Sequence, residues 1–313
     1  MKKIINALFL LLLFIHVSSH AATRNVCTSG ATYATITAAI AAAANGDEIV
    51  ICPGTYNESL TFSQSNLTIR SSTGNRSDVK INNSGRIFTF SGANITIKDL
   101  TLTSTSGEAI RGAFTFSAQG THTFQNLTIN ARDNGIHLNI GGPHTFKQLN
   151  ITSSQGNGIN LEYFADAAHV FDTVTVNSWD SGIVVSRGVG SMKTINVSSS
   201  NGAGISVGSK YSALFQDIVV TAKNRALWMV YSDGLQPQTF TNVTATSQNQ
   251  QAINIERSTK MTFTNITATA NSDNGIEFNY DTDGAHTLDT VTVNSSGSGI
   301  VAARGLASVK SAN

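Results

Sequence analysis

Carboxylate side chains recur at one point of a repeated pattern, just after short apolar segments that begin with Gly-Ile. Hydrolysis of a glycosidic bond needs two such groups, held about 5 to 10 Å apart. Glu162 and Asp166 form one candidate pair. Glu277, with Asp281 and Asp283, offers a second. With one nearby arginine added, the candidate catalytic residues are Glu162, Asp166, Arg187, Glu277, Asp281 and Asp283.

Tyrosine and arginine side chains alternate at corresponding points of successive repeats, in the bend that follows the same apolar segments. Aromatic faces and guanidinium groups are what an extended polysaccharide needs from a flat surface. The alternative is structural, because such side chains also cover the edge of an apolar core. The candidate ligand-binding residues of this Tyr/Arg strip are Tyr163, Arg187, Tyr231, Arg257, Tyr280 and Arg304.

Histidines occupy another repeated position, two residues before a phenylalanine or leucine: His122, His144, His169 and His286. A row of histidines suggests a metal site, because neutral imidazole is a common metal ligand. Alternation along a strand points these rings inward, however, and stacked repeats spread them along a line instead of around a point. We therefore predict a buried stack, with no metal site and no cofactor.

The repeat itself is the strongest signal in the sequence. A small residue followed by an aliphatic one recurs at spacings of 22 to 26 residues, from Ala109-Ile110 to Gly299-Ile300. Such a period is typical of a solenoid, whose units bury their apolar sides only by stacking. Alternating apolar residues, such as Ile136 and Leu138, indicate strands. Aromatic residues at one equivalent position predict a continuous apolar column: Phe124, Phe146, Phe171, Phe215, Phe240 and Phe263, with Met192 and Leu288 as substitutes.

Three apolar pieces in each repeat, joined by bends, predict an all-β, three-sided, right-handed parallel β-helix. A second-order repeat lies above this one, because a shift of 117 residues aligns 157–196 with 274–313. The stretch DTVTVNS begins at Asp172 and again at Asp289. A catalytic site is normally single, whereas duplicated surface residues suit repetitive binding. The duplication therefore favours a binding protein over an enzyme.

The amino terminus has the order of a secretory signal peptide. Lys2 and Lys3 precede an apolar run over residues 4–17, and small residues end the segment. We predict cleavage after Ala21 or Ala22, and therefore a secreted, extracellular or cell-surface protein. No later segment is apolar enough to cross a bilayer, so no membrane span is expected after cleavage. A net charge of +1 with 12% charged residues offers nothing to attract nucleic acid.

Two cysteines follow the predicted signal peptide, Cys27 and Cys52. In an oxidising compartment such a pair predicts a disulfide, which would stabilise the start of the fold by about 3 kcal/mol on the chain-entropy model. Between them, Ile36, Ala39, Ile40 and Ala43 fall on one face at helical spacing. Gly46 suits the C-terminal end of a short helix. We expect this helix to cover the open end of the first coil.

The same segment resembles the start of many proteins of the pectin-lyase-like superfamily. The resemblance rests on Ala39-Ile40, Gly46-Asp47 and Pro53-Gly54-Thr55-Tyr56. It implies a right-handed β-helix, but it implies no single activity, because the superfamily includes lyases, hydrolases, epimerases and adhesins. The chain carries none of the NTD, DD, GHG and RIK motifs of the pectin-degrading hydrolases. It also lacks the Arg-x-Pro-x-x-Arg signature of pectate lyases and the DPHD signature of mannuronan epimerases.

The expected organisation is a signal peptide over residues 1–21, an N-terminal cap over 22–60 and coils over 61–313. Because residue 313 falls where the earlier copy runs on into another coil, we expect a continuation of the chain or a partner at that end. The leading hypothesis is a secreted β-solenoid with an extended binding or adhesive surface for extracellular or cell-surface polysaccharide. The alternatives are a polysaccharide-active lyase, hydrolase or epimerase, and a rigid spacer in a larger surface protein.

Overall fold

Two parallel sheets wind around a common apolar core to form a β-solenoid. The computed structural model describes residues 21–112, 120–139, 141–162, 167–208, 211–231, 236–256, 260–279, 286–302 and 306–310. Within these ranges one sheet has 15 strands and the other has 11, and every assigned strand pair is parallel. The predicted all-β parallel β-helix is therefore confirmed.

The first turns contain one helix and five strands of the larger sheet: β1 (Thr23–Val26), α1 (Ile36–Ala41), β2 (Glu48–Ile51), β3 (Gly54–Asn57), β5 (Thr68–Ser71) and β6 (Val79–Asn83). The same sheet continues through β8 (Thr96–Ser104), β10 (His122–Ala131), β12 (His144–Ser153), β14 (His169–Ser178), β16 (Val189–Ser199), β18 (Ala213–Ala222), β20 (Gln238–Ser247), β22 (Met261–Ala270), β24 (His286–Ser295) and β26 (Leu306–Val309). We refer to it as the bent sheet.

The smaller sheet takes one short strand from each turn, and we refer to it as the short-strand sheet. Its members are β4 (Leu60–Phe62), β7 (Phe88–Phe90), β9 (Ile110–Gly112), β11 (Ile136–Leu138), β13 (Ile159–Leu161), β15 (Ile183–Val185), β17 (Ile205–Gly208), β19 (Leu227–Tyr231), β21 (Ile253–Glu256), β23 (Ile276–Asn279) and β25 (Ile300–Ala302). From β9 onward these strands begin with the aliphatic residue of the repeated pair.

The long strands of the bent sheet turn a corner at one residue. That residue adopts the left-handed conformation, with φ between 50° and 61°, at Asp99, Asn126, Gln148, Thr173, Thr194, Asp217, Asn242, Asn265 and Thr290. Asn and Asp tolerate this conformation better than most residues, so the row is rich in them. Because the hydrogen-bonded ladder resumes directly after the corner, two of the three predicted apolar pieces merge into one long strand. The solenoid keeps three faces but has two sheets.

The predicted apolar columns are confirmed. Register pairs Phe124 with Phe146 and Phe146 with Phe171, and all three side chains are fully buried. The rings of Phe146 and Phe171 stack with their centroids 4.7 Å apart. Beyond the corner a second column runs through Leu127, Leu149, Val174, Ile195, Ile218, Val243, Ile266 and Val291. Stacking identical apolar positions in this way gives a single elongated core.

The histidine row also points inward, as the alternation predicts. His122, His144, His169 and His286 are fully buried. The ring centroids of His122 and His144 lie 4.9 Å apart, as do those of His144 and His169. In each case Nδ1 accepts a backbone N–H of the preceding turn, for example Ile95 N to His122 Nδ1 at 3.1 Å. These bonds place the ring hydrogen of each histidine on Nε2.

Small residues before the short strands reflect close packing between turns. A Cβ added to Gly182 would lie 2.6 Å from the carbonyl oxygen of Gly204 and 2.1 Å from Cγ1 of Val197. Neither contact is tolerable, because the first is to backbone and the second to a packed core side chain. Glycine at this position lets the chain of one turn approach the next.

The N-terminal helix α1 and the disulfide are both present. Ile36, Ala39 and Ile40 are buried, and Thr35 caps the helix by accepting a hydrogen bond from Ala38 N. Cys27 and Cys52 are bonded, with their Cα atoms 5.0 Å apart.

One detail of α1 differs from the prediction. The helix ends at Ala41, so Ala43 and Gly46 lie beyond it. The Asp47 carboxylate accepts the N–H of Ala44, and this bond holds the chain in a turn that leads into β2.

Candidate functional site

The structure describes part of the predicted site. Glu162 follows β13 directly, and Glu277 lies within β23. Arg187 is half-buried, two residues beyond β15. Tyr231 ends β19, but its side chain lies outside the described part of the structure. The remaining candidates also lie outside the described residues: Tyr163, Asp166, Arg257, Tyr280, Asp281, Asp283 and Arg304.

Two outward columns run side by side on the short-strand sheet. One is formed by the residue before each small-aliphatic pair, and the other by the residue after it. Thus Glu108 and Arg111 stand beside each other, and the next turn places Asn134 and His137 over them. Since parallel strands stack equivalent positions about 4.8 Å apart, side chains of neighbouring turns can pair directly.

His137 is at the centre of a buried ionic network on this face. Its Nδ1 lies 2.5 Å from Glu108 Oε1, and its Nε2 lies 2.5 Å from Glu162 Oε1. The Glu108 carboxylate also accepts hydrogen bonds from Arg86 Nε at 3.0 Å and from Asn134 Nδ2 at 3.1 Å. The Arg111 guanidinium completes the network, 3.2 Å from the same carboxylate and in contact with the imidazole.

Burial and pairing shift the pKa in opposite directions for each of the two central groups, Glu108 and His137. Burial alone would raise the pKa of Glu108, but hydrogen bonds from His137 and Asn134 and the charges of His137 and Arg111 lower it to about 2. Burial alone would lower the pKa of His137, but its bonds to Glu108 and Glu162 raise it above the ordinary value. The charge of the nearby Arg111 opposes this rise in the pKa of His137, so Glu108 and His137 each stabilise the charged form of the other.

Sequence reasoning singled out Glu162 as a candidate site residue but none of Glu108, Arg111, Asn134 and His137. The signal was available, because aligning the small-aliphatic pairs places Glu108 over Asn134 and Arg111 over His137.

Both nitrogens of His137 are engaged, and only 9% of its side chain is exposed. Glu162 is the accessible end of the network, with 38% of its side chain exposed.

The equivalent positions in the second copy of the duplicated block carry different side chains. A shift of 117 residues carries Glu108, Arg111, Asn134 and His137 onto Arg225, Trp228, Gln251 and Asn254. Arg225 lies over the Trp228 ring, 4.5 Å from its centroid. The Glu277 carboxylate accepts hydrogen bonds from Gln251 Nε2 at 2.9 Å and from Asn274 Nδ2 at 3.0 Å. The two regions are separated by turns with small outward residues, Val184 and Ser206.

An exposed tryptophan marks a depression at the end of the long strands. Trp179 follows β14 in a bend and is 49% exposed. It borders an open depression of about 330 Å³ whose other lining residues carry hydroxyl or amide groups: Thr152, Ser153, Ser154, Asn177, Ser178, Ser198 and Ser200. The sequence pattern did not single out Trp179, because it occurs once and outside the repeated positions.

A second depression, of about 400 Å³, lies at the corner of the turns that contain β10, β12 and β14. Its lining residues are Arg76, Asn126, Gln148, Leu149, Asn150, Thr173 and Thr175. The outward residues beyond the corner are short and uncharged. The loop between β5 and β6 adds a charge to this face, because it brings Arg76 over the corner. Arg76 Nη1 donates to the carbonyl oxygens of Leu127 and Gln148, each at 3.3 Å.

Two further findings concern metal ions and membranes. Within the described ranges, no three His, Cys, Asp or Glu side chains are grouped so that they could hold a metal ion. The same part of the chain contains no helix that is long and apolar enough to cross a membrane. The disulfide is consistent with an oxidising, extracellular environment.

Comparison with known proteins identifies the fold. A family model described as the right-handed beta helix region matches residues 181–313. The A-module of the Azotobacter vinelandii mannuronan C-5 epimerase AlgE6 is similar, with a TM-score of 0.51 and 13% identity over 89% of this chain and 93% of that one. Pectate lyase Pel9A has a TM-score of 0.46 and 14% identity over 94% and 79% of the two chains. No curated protein sequence matches significantly.

At these identities a likeness to solved structures concerns the fold and not the activity. The matched segment begins in the turn that contains β15 and continues through the remaining turns. The parallel solenoid, the family match and the fold shared with the epimerase module all agree with the resemblance seen at the amino terminus. The chain folds as a right-handed parallel β-helix, and its residues 181–313 match the family model of that region.

Proposed function

We propose that this protein is exported and binds polysaccharide without cleaving it. The observation that favours this function is the exposed indole of Trp179 beside a depression lined by hydroxyl and amide groups. One face of a sugar ring presents C–H groups, which pack on an indole, while its hydroxyls exchange hydrogen bonds with Ser, Thr and Asn. The Trp179 depression combines both kinds of contact on a rigid sheet, which limits the entropy lost on binding.

The ionic network on the short-strand sheet supports the choice of binding over catalysis. A general acid or base must be free to exchange a proton with substrate. His137 has both nitrogens engaged, and Glu108 accepts bonds from four different side chains. The network therefore suits a structural role in this proposal.

One observation favours the alternative of a polysaccharide-active enzyme. Glu162 is partly exposed, is held by His137, and lies next to the segment that contains the other predicted candidate, Asp166. Two carboxylates four residues apart in the sequence could serve as acid and base in glycoside hydrolysis. If the protein is a lyase, hydrolase or epimerase, Glu162 is the described residue whose replacement by Gln should abolish turnover.

The binding function is tested by replacing Trp179. Retention on a panel of immobilised neutral and acidic polysaccharides should fall about 10-fold in Trp179→Ala, because the loss of one aromatic packing surface costs on the order of 1.4 kcal/mol. Trp179→Phe should retain part of the binding. Val219→Ala is a matched control, because Val219 is an equally exposed apolar side chain on another turn.

Two results would contradict the proposal. Equal retention of the Trp179→Ala and Val219→Ala proteins would remove Trp179 from any binding surface. Steady release of reducing ends or of unsaturated products from the same polysaccharides, lost in Glu162→Gln, would establish an enzyme instead.

Export requires removal of the signal peptide, and the structure favours one of the two predicted cleavage sites. Ala22 N donates to Asp47 Oδ1 at 2.8 Å, and Ala22 O accepts from Glu48 N at 2.9 Å. Cleavage after Ala21 keeps both bonds and places the new α-ammonium group against the buried Asp47 carboxylate. We expect the intact mass of secreted protein to correspond to a chain that begins with Ala22. A mature chain that begins with Thr23 would contradict this assignment.

A further inference from the structure

Two depressions share the turns of β12 and β14, where they lie at opposite ends of the same strand segments. Asn150 and Thr175 line the Arg76 depression, whereas Thr152 and Asn177 line the Trp179 depression. In β12 and β14 these are consecutive outward residues, two positions apart, so about 6.6 Å of strand separates each pair. The face between the depressions is therefore continuous, and it consists of short hydroxyl and amide side chains.

Arg76 differs in its partners from three other arginines of the N-terminal half. Arg24, Arg70 and Arg86 each form a salt bridge with a carboxylate. Arg76 has no carboxylate within salt-bridge distance in the described ranges, and its side chain donates to two backbone carbonyl groups through Nη1. A guanidinium has five N–H donors, so most of its donors remain for a ligand in the depression.

The loop that holds Arg76 is braced on both sides. Asp78 accepts hydrogen bonds from Thr73 Oγ1 at 2.7 Å and from Asn75 Nδ2 at 3.1 Å. The loop also bonds to later turns, since Thr101 Oγ1 donates to Arg76 O at 2.8 Å and Asn126 Nδ2 donates to Gly74 O at 3.1 Å. The position of the charge is thus fixed before a ligand arrives, which favours binding.

The lining of the Arg76 depression contains one cation and no carboxylate. Beside the corner, Lys147 and Asp172 lie 3.7 Å apart and offset each other. The Asp99 carboxylate accepts a hydrogen bond from the lining residue Asn126 at 2.8 Å. We propose that this face binds one glycan chain at two points, with a sugar ring on Trp179 and an oxyanion of the same chain, a carboxylate or a sulfate ester, on Arg76. This inference rests on the proposed binding function and adds the charge of the ligand.

The test uses one polymer backbone with and without charge. Polyuronate and its fully methyl-esterified form differ in the carboxylate alone, and dextran sulfate with plain dextran provides the same comparison for sulfate. We expect wild-type protein to bind a charged form about 10-fold more tightly than its uncharged counterpart, as a bidentate ion pair suggests. Arg76→Gln should remove that preference and leave the affinity for the uncharged polymer unchanged.

Lys260→Gln is the matched control, because it changes net charge equally from an exposed position before β22. A normal melting temperature of Arg76→Gln shows that the loop change has not unfolded the protein. A preference for polyuronate alone assigns a carboxylate, and a preference for dextran sulfate alone assigns a sulfate ester. If Arg76→Gln keeps the preference for charged polymer, the oxyanion site is wrong even where Trp179→Ala still weakens binding. If both variants bind as wild type does, the binding function fails as well.

Discussion

Single residues on the short-strand sheet show how burial and charge are balanced in this fold. Glu108 and His137 are each less than 10% exposed, so each depends on its partners in the network to keep its charge. The contributions of the two groups to stability depend on pH with opposite signs. The raised pKa of His137 gives stability that is complete below its unfolded value of 6.5 and is lost as pH rises through the folded pKa. The lowered pKa of Glu108 gives stability that is lost as pH falls from about 4.5 towards 2.

The Glu108→Gln variant tests this balance. Its amide keeps the shape of the side chain but removes the negative charge that faces His137, Arg111 and Arg86. We expect the free energy of unfolding at neutral pH to fall by about 3 kcal/mol, because a buried cationic cluster loses its main partner. The pKa of His137, followed by NMR titration of the ring protons, should fall.

Glu162→Gln is the comparison, since that carboxylate is 38% exposed and solvent screens its charge. Its loss of stability should stay below about 1 kcal/mol. Equal losses in the two variants, or an unchanged titration of His137 in Glu108→Gln, would show that the network does not depend on the buried carboxylate.

At the scale of the strands and corners, the sequence was most informative where the pattern was local. Only two residues separate the apolar Phe146 and Leu149, a spacing that predicts a tight corner, and Gln148 turns it in the left-handed conformation with φ of 54°. Continuation of the ladder around that corner was not predictable, because it depends on where the backbone N–H and C=O groups of Lys147 meet those of Asp172 in the next turn. Alternation predicts which side chains point inward but not how many sheets the backbone forms.

The contacts of the loop between β5 and β6 could not be predicted from the sequence, because they join residues that are far apart in the chain. Arg76 reaches the carbonyl oxygen of Gln148, 72 residues further along the chain, because the loop between β5 and β6 folds over later corners. No periodicity links these positions, since the loop occurs in one turn. The contact of Glu108 with His137 was within reach, because the two residues stand at adjacent repeated positions of neighbouring turns. Contacts between turns follow the repeat, whereas contacts made by an insertion do not.

For the whole molecule, one core runs the length of the solenoid, so a change in one stacked column affects many turns. The histidine column is the part of that core that can take up protons. His122 and His286 accept backbone N–H bonds through Nδ1, and Nε2 of each is buried with no partner among the described residues. Burial lowers the pKa of both rings to about 4, because an imidazolium would lose its hydration.

The sign of the effect follows from proton uptake. In the unfolded chain, a histidine has an ordinary pKa of 6.5 and binds a proton at a higher pH than it does in the folded state. Acid therefore favours unfolding. The contribution of His122 to stability is complete above 6.5 and is lost as pH falls towards about 4. A shift of this size corresponds to about 3 kcal/mol for one ring. We therefore expect the free energy of unfolding of the wild-type protein, measured with urea, to fall steeply over this range.

His122→Gln isolates the contribution of one ring. Its amide oxygen can still accept the N–H of Ile95, and glutamine already occupies the same column at Gln238, but it cannot be protonated in this range. The fall in unfolding free energy between about pH 7 and pH 4 should be smaller than in the wild type by about 3 kcal/mol. His137→Gln is the opposite control, because His137 has a raised pKa and its loss should make the acid-induced fall steeper. If His122→Gln and wild type lose stability in parallel, the histidine column does not govern the acid sensitivity of the solenoid.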